Sequence, residues 1–108
     1  MDHMKSPGQV EISFRYSRHV GATCIQGGLT LRFDSLKPYA FTSHAQWPGS
    51  DNYESQIRES VEDVLREHQG NLAFTLVVLE QIEWDGIASC EVGFRRAATA
   101  ATRAAFNV

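Results

Sequence analysis

The sequence lacks a disulfide framework, a long apolar run and any internal repeat, and each absence excludes a class of protein. Its two cysteines, Cys24 and Cys90, lie far apart, so the sequence is not that of a disulfide-rich scaffold. We expect two reduced, partly buried thiols in a cytoplasmic protein, and a structural disulfide is the alternative. No apolar run approaches the roughly 20 residues that span a bilayer as a helix, so no membrane segment is predicted.

Signatures of nucleotide and metal sites are absent too. A phosphate-binding loop needs the pattern G-x-x-x-x-G-K-[ST], which Gly21, Gly27 and Gly28 do not supply because no lysine follows them. A transition-metal site needs clustered histidine, cysteine or carboxylate ligands, and the spacing of His19 and Cys24 fits no common site. We predict that the protein binds no nucleotide, metal or other cofactor and that it is not an enzyme.

Catalysis by a thiol is the enzymatic alternative. A cysteine–histidine pair forms only in the folded chain, and Cys90 stands near the start of a predicted helix, where the thiolate form is favoured. No neighbour in the sequence visibly activates either thiol. We therefore predict no catalytic residue.

The length and composition indicate a single globular domain. A chain of 108 residues has the common domain size, and a content of 43% hydrophobic and 21% charged residues is ordinary for such a domain. A chain of this size buries roughly 60–70% of its unfolded surface. We predict one domain over residues 10–108, preceded by a disordered tail or cloning remnant over residues 1–9.

The net charge of −3 is unevenly distributed along the chain. Five basic and two acidic residues lie between positions 5 and 37, whereas ten acidic residues and two arginines lie between positions 51 and 91. Three more arginines follow without an acidic residue. Binding of nucleic acid by the whole surface is therefore disfavoured, because phosphates bind to basic surfaces. A local basic face remains available for such binding.

Alternation of apolar and polar residues predicts strands in the first half. Residues 10–16 alternate strictly, and residues 29–33 alternate again after Gly27-Gly28, so each segment should bury one face. We interpret Gly27-Gly28 as a turn or bulge at the entrance to the second strand. A third strand is predicted over residues 39–45, and the short connections favour three antiparallel strands.

Two helices and one further strand are predicted in the second half. Asp51, with Glu54 three residues later, makes a start like a capping box, and Gly70 is a stop signal for that helix. Residues 74–79 form a continuous β-branched and apolar run, which predicts a central strand buried on both faces. Ser89 is the predicted cap of the final helix.

The final helix carries an apolar stripe made almost entirely of alanine. The stripe spans about 120° of a helical wheel and consists of Phe94, Ala97, Ala98, Ala101, Ala104 and Ala105. Because ridges without bulk shorten the distance between packed elements, we predict that this helix docks closely against its neighbours. Arg95, Arg96 and Arg103 lie on the opposite side, either as a solvated face or as a contact for nucleic acid.

The order of these elements resembles domain IV of bacterial elongation factor G and of the tetracycline-resistance ribosomal protection proteins. The resemblance covers most of residues 10–106. The shared residues include Gly28, Pro38, Tyr53, Leu72, Val78, Ser89, Glu91, Phe94, Ala97 and Ala98. It implies an α+β fold of the ribosomal protein S5 domain 2-like class. That fold is a two-layer sandwich, in which a four-stranded, mostly antiparallel sheet carries two helices on one face and includes a left-handed βαβ crossover.

The resemblance also implies a location for function. In that family two tip loops of the domain contact the ribosomal decoding site, and they correspond here to residues 18–28 and 85–89. The family's first loop is rich in Gly, Arg, Gln and Tyr, and here only Gly27-Gly28 match it. The second loop lacks the family's histidine. Since fold alone does not imply function, the fold carries over better than the function.

We therefore expect a non-enzymatic, stand-alone domain that binds ribosomal RNA or a translation component. The expected contacts are Arg15, Arg18, His19, Gly27, Gly28, Arg32, Asp85 and Gly86. The alternative is a protein-interaction or self-association module that uses Trp47 and acidic residues of the first helix. Those acidic residues are Glu54, Glu59, Glu62, Asp63 and Glu67. Trp47 and Trp84 each either fill a gap in the core or display a binding ring.

Overall fold

In the computed structural model, which describes residues 8–49, 51–69, 75–85 and 88–107, four strands and two helices form two layers. The elements are β1 (Gln9–Val20), β2 (Thr23–Asp34), β3 (Ala40–Ser43), α1 (Glu54–Gln69), β4 (Leu76–Glu83) and α2 (Glu91–Phe106). The sheet order is β1-β2-β4-β3. Both helices share one hydrophobic core with β2 and β4. The predicted α+β sandwich with a four-stranded sheet is confirmed.

β1 and β2 form one long hairpin. Each strand has 12 residues, and the two pair antiparallel along their whole length. The turn consists of Gly21 and Ala22, and Gly21 has φ 62°, which suits the first loop position of a type II′ turn. The strands predicted over residues 10–16 and 29–33 are therefore too short. The polar residues between them also pair, because a backbone ladder does not require apolar side chains.

The first described residues belong to the fold rather than to a tail. The Ser35 N–H donates to the Gly8 carbonyl at 3.0 Å. The Gln9 side-chain amide donates to the Asp34 carboxylate at 3.2 Å. The strand thus begins one residue before the predicted domain boundary, and the rest of the predicted tail, residues 1–7, lies outside the described residues.

The third strand does not continue an antiparallel series. β3 pairs parallel with β4 at the far edge of the sheet, and β4 lies antiparallel to β2. The prediction of three consecutive antiparallel strands is wrong, because the more apolar β4 takes the central place. The prediction of a central strand there is confirmed for residues 76–79, since β4 begins at Leu76 and Thr75 precedes it. α1 supplies the long connection that parallel neighbours need, and its predicted stop at Gly70 lies outside the described residues.

α1 does not begin with the predicted capping box. The Glu54 N–H donates to Asn52 Oδ1 at 2.9 Å, so Asn52, and not Asp51, supplies the side-chain acceptor. The Glu54 carboxylate instead accepts from Ser43 Oγ at 2.6 Å and from Trp47 Nε1 at 2.9 Å. Because Glu54 serves contacts with distant residues, it does not return to the backbone of its own helix.

The backbones of α2 and β2 are in direct contact at two glycines, Gly93 and Gly27. A Cβ on Gly27 would lie 2.3 Å from the backbone carbon of Gly93 and 2.3 Å from the nitrogen of Phe94. A Cβ on Gly93 would lie 2.0 Å from the Gln26 carbonyl oxygen. The interpretation of Gly27-Gly28 as a turn or bulge is wrong, because both pair regularly with β1 inside β2. The need for glycine at Gly27 comes from the helix above it.

The predicted close docking of α2 is confirmed, although Gly93 and Thr102 are buried in place of Ala104 and Ala105. Its buried residues are Gly93, Phe94, Ala97, Ala98, Ala101 and Thr102. Ala104 is exposed and Ala105 is half-buried. Thr102 takes a buried place because its hydroxyl donates to the Ala98 carbonyl at 2.7 Å, which satisfies the polar group without water.

Both tryptophans contribute to the core. The rings of Trp47 and Trp84 lie with their centroids 5.2 and 5.9 Å from that of Phe94. Tyr53 joins this cluster and stacks on Trp84 at 6.2 Å. Since the Trp47 N–H is also satisfied by Glu54, the core alternative describes both tryptophans, and neither displays its ring as an isolated surface group.

We predict that Gly27→Ala will lower the free energy of unfolding by about 3 kcal/mol or more, because the added methyl group meets fixed backbone. Gly28→Ala is the matched control. Its methyl group would meet the Glu83 side chain, with Oε2 at 2.9 Å and Cβ at 3.0 Å. The carboxylate end can turn away and only the Cβ has to shift with its strand, so a smaller loss than for Gly27→Ala is expected, about 1–2 kcal/mol. Urea unfolding measures both. Equal losses of stability in the two variants would show that the contact with α2 is not the reason why position 27 requires glycine.

Candidate nucleic-acid interface

The β1–β2 hairpin extends beyond the rest of the sheet. β2 pairs with β4 only from Gly28 to Asp34, so residues 17–26 form a two-stranded projection, here called the arm. Residues 17–23 are all exposed. The tip loop that the resemblance implied at residues 18–28 is therefore a pair of strands closed by a two-residue turn, since its backbone groups pair across the hairpin.

The arm is anchored at Gln26. The Gln26 N–H donates to the Ala88 carbonyl at 2.9 Å, and the Cys90 N–H donates to the Gln26 carbonyl at 3.2 Å. Ser89 makes a parallel bridge with Gln26 between these bonds. The structure thus brings Ala88, Ser89 and Cys90 against the base of the arm, next to Gly27.

The segment after β4 is held by its own turn. The Ser89 N–H donates to the Asp85 carbonyl at 2.9 Å, and the Asp85 N–H donates to Ser89 Oγ at 2.8 Å. The Ala88 N–H donates to Asp85 Oδ1 at 3.0 Å. Ser89 is consequently not the predicted cap of α2. Cys90 occupies that position without a side-chain hydrogen bond, and Gly86 lies outside the described residues.

Strand alternation divides the predicted basic contacts between two faces. The core side of β2 carries Leu29, Leu31 and Phe33. Arg18 pairs with Ile25, which shares the side of Leu29, so Arg18 lies on the helix side of the hairpin. Arg15 and His19 lie on the opposite, open face. The hairpin therefore presents basic residues on both faces, with Arg18 on the helix side and Arg15 and His19 on the open side.

Arg32 does not join the arm. Its Nε donates to Glu80 Oε2 at 2.8 Å, and His44 Nδ1 lies 3.0 Å from Glu80 Oε1. The hydrogen bond from Arg32 lowers the pKa of Glu80. Partial burial of the carboxylate opposes this effect, and the contact with His44 adds to it. Arg32 is five residues from Gly27 along β2, which is roughly 17 Å at 3.4 Å per residue. Its charge is compensated at the middle of the sheet.

Arg15 and Arg18 are compensated less. Arg15 Nη2 donates to Gln26 Oε1 at 3.2 Å, and Gln26 Nε2 donates to Ser17 Oγ at 3.4 Å. In the described ranges, neither arginine forms an ion pair. No acidic residue lies between Glu11 and Asp34. The sequence did not point to Gln26, because its role comes from pairing with a segment more than 60 residues away.

A shallow hollow of about 100 Å³ lies at the base of the arm. Its lining consists of Arg15, Gln26, Gly28, Glu83, Trp84, Asp85 and Ser89. Small-molecule pockets usually measure about 300–1,000 Å³, so this hollow is a contact surface rather than a ligand pocket. The acidic residues Glu83 and Asp85 and the basic Arg15 line the same hollow, so the base of the arm carries both signs.

The remaining candidate groups add no further site. Over the described ranges, no group of three or more histidine, cysteine or carboxylate residues is arranged to hold a metal ion. Cys24 and Cys90 are half-buried and unpaired, so the structural disulfide is not formed. None of the helices in the described part of the chain has the length and hydrophobicity needed to cross a membrane.

The arginines of α2 differ in their surroundings. Arg95 donates from Nε to Glu91 at 2.8 Å and from Nη2 to Glu59 at 2.9 Å, so it joins α2 to α1. Arg96 and Arg103 are exposed. Arg95 thus fits neither interpretation of this face, while the exposure of Arg96 and Arg103 agrees with both a solvated face and a contact for nucleic acid.

Comparisons with known proteins support the fold. No protein-family model and no curated protein matches the chain. Among solved structures, the chain is similar to the crystal structure of a Thermus thermophilus protein, with a TM-score of 0.77 and 16% sequence identity over 89% of this chain. The chain spans 15% of that protein's length. At this identity the likeness shows the fold alone.

We predict that Glu80→Gln will lower the free energy of unfolding by about 1 kcal/mol at pH 7, because a partly exposed ion pair is lost. The lowered pKa of Glu80 means that the carboxylate stabilises the fold above its ordinary value of 4.5 and loses this effect as the pH falls through the folded value. The difference from wild type should shrink below pH 4.5. Urea titrations from pH 3 to pH 7 measure it, and a difference that grows on acidification contradicts the assignment.

Proposed function

We propose that the protein is a non-enzymatic RNA-binding module that contacts ribosomal RNA or another translation component through the arm. The supporting observation is an exposed two-stranded projection that carries Arg18 and His19 and no acidic residue. Arginine binds phosphate oxygens through strong, charge-assisted hydrogen bonds. A projecting arm brings these donors to RNA while the rest of the protein stays at a distance.

The shape of the arm favours recognition of RNA shape and phosphates over recognition of bases. The turn and its neighbour, Gly21, Ala22 and Thr23, have small side chains, so the tip is narrow. Arg18 lies on one face and His19 on the other, so phosphates on both sides of an inserted arm come within reach. Apart from the His19 ring, the arm has no aromatic side chain on which a base could stack.

The distribution of charge orients the protein on a polyanion. The overall charge is −3, and most carboxylates lie in α1, β4 and their connections. The acidic surface outside the arm repels phosphates, so RNA should bind through the arm alone. The proposal places the protein in the cytoplasm, where unpaired thiols such as Cys24 and Cys90 stay reduced.

A protein-interaction module that uses the acidic face of α1 is supported less well. Four of its five carboxylates already have partners inside the molecule. These pairs are Glu54 with Ser43 and Trp47, Glu59 with Arg95, Glu62 with Tyr39, and Asp63 with Arg66. Glu67 alone has no side-chain bond among the contacts of the described residues. Trp47 belongs to the aromatic cluster, so this face offers a partner few uncommitted groups.

We predict that Arg18→Ala will weaken RNA binding and make the binding constant less dependent on salt concentration, because the variant loses about one phosphate contact. Each lost contact removes about one unit from the slope of log K against log salt concentration. Fluorescence anisotropy with a ribosomal RNA fragment at several salt concentrations measures this slope.

Arg96→Ala is the matched control, because it removes the same charge from an exposed position on α2. It should leave both affinity and slope close to those of wild type. If wild type shows no RNA binding at low salt, where phosphate contacts are strongest, the proposed function fails. Equal effects of the two substitutions would show that the arm is not the contact.

A further inference from the structure

The two edges of the sheet differ greatly in length. β3 has four residues, whereas β1 has 12. In the part of the chain that the structure describes, no strand lies outside β1, and its contacts are with β2 and α2. Short edge strands resist association, but a long unpaired edge is a template for another strand.

The hairpin turn determines which backbone groups face this free edge. The turn hydrogen bond joins Val20 and Thr23, the residues on either side of the two-residue loop. Hydrogen-bonded and non-hydrogen-bonded pairs alternate along an antiparallel ladder. Even-numbered residues of β1 therefore bond to β2, while odd-numbered residues direct their N–H and C=O groups outward. The outward residues are Gln9, Glu11, Ser13, Arg15, Ser17 and His19.

We propose that β1 pairs antiparallel with β1 of a second copy of the chain, about a two-fold axis at Ser13. In this register Ser13 lies opposite the partner's Ser13, and Glu11 lies opposite the partner's Arg15. All of the outward groups from Gln9 to Ser17 then find partners in one ladder. Opposite charges placed directly across a ladder stabilise the pair, and the symmetry forms this pair twice.

Charge complementarity selects this register from its neighbours. If the partner shifts by two residues in one direction, Glu11 lies opposite the partner's Ser13. If it shifts in the other direction, Glu11 lies opposite the partner's Ser17. Only the register centred on Ser13 places the single acidic residue of β1 opposite Arg15, the nearer of the strand's two arginines.

The same register covers apolar groups that one copy leaves exposed. Val10 and Phe14 are 36% and 37% exposed, although they lie on the core side, opposite Phe33 and Leu29. In the dimer Val10 lies opposite the partner's Tyr16, and Phe14 lies opposite the partner's Ile12. These pairs extend the apolar side of the sheet across the axis, with the helices of both copies on one face.

The pairing leaves both arms available. It ends at Ser17, so the strand positions beyond it and the turn project past the shared ladder at opposite ends of an eight-stranded sheet. The inference therefore goes beyond the proposed function and does not rest on RNA binding. Failure of RNA binding and failure of dimer formation are separate results.

Sedimentation velocity and light scattering of the full chain test the proposal. The expected result is a concentration-dependent dimer with twice the 12.1 kDa mass of one chain. A protein that stays monomeric at every concentration up to about 1 mM overturns the proposal. A dissociation constant of that size corresponds to a binding free energy of only about 4 kcal/mol.

Ser13→Pro tests the ladder at its centre. Proline removes an N–H that points outward and is tolerated on such an edge, so the fold should survive while the dissociation constant rises about tenfold or more. Thermal unfolding confirms that the variant is folded. A folded Ser13→Pro variant that dimerises like wild type overturns the proposal.

A charge exchange tests the register without proline. Glu11→Arg and Arg15→Glu should each weaken the dimer, because each places like charges opposite one another, and the double variant should restore it. Arg96→Glu, on α2 and away from the edge, is the control and should dimerise like wild type. Absence of rescue in the double variant, with both single variants weakened, would exclude this register.

Discussion

The direct backbone contact between β2 and α2 determines the geometry on which the rest of the structure depends. Gly27 and Gly93 leave no room for a side chain on either element. The start of α2 is therefore held against one point of the sheet. Phe94, the next residue, enters the aromatic cluster from that point. The residues just before the helix reach Gln26 and pair with it, which also defines the base of the arm.

The sequence predicted those elements whose patterns are local. Strict alternation identified the core part of β1, the apolar run identified a central strand at β4, and the alanine stripe predicted that α2 docks closely. The strand order could not be obtained in this way, because the partner of β3 is β4, which follows in the chain only after α1. The role of Gly27 was hidden for the same reason, since Gly93 is distant in sequence.

The candidate interface was predicted in composition but not in arrangement. The basic residues of the first half were visible, yet their division between two faces depends on the strand continuing through polar positions 17–19, where hydrophobic alternation is lost. Arg32 was grouped with Arg15 and Arg18 because sequence does not show its ion pair with Glu80. Such pairs form between strands whose register is set by the whole sheet.

The anchoring of the arm at Gln26 divides the molecule into two units of different stability. Below that residue, hydrogen bonds of the hairpin belong to a four-stranded sheet covered by a core. Above it, they belong to an isolated two-stranded ribbon, and such ribbons are marginally stable in water. Amide hydrogens of the arm should therefore exchange with solvent through local opening, while those of the four-stranded sheet and its helices should exchange only when the whole domain unfolds. A partner that grips the arm also has to order it, so part of the binding free energy is spent on folding the ribbon.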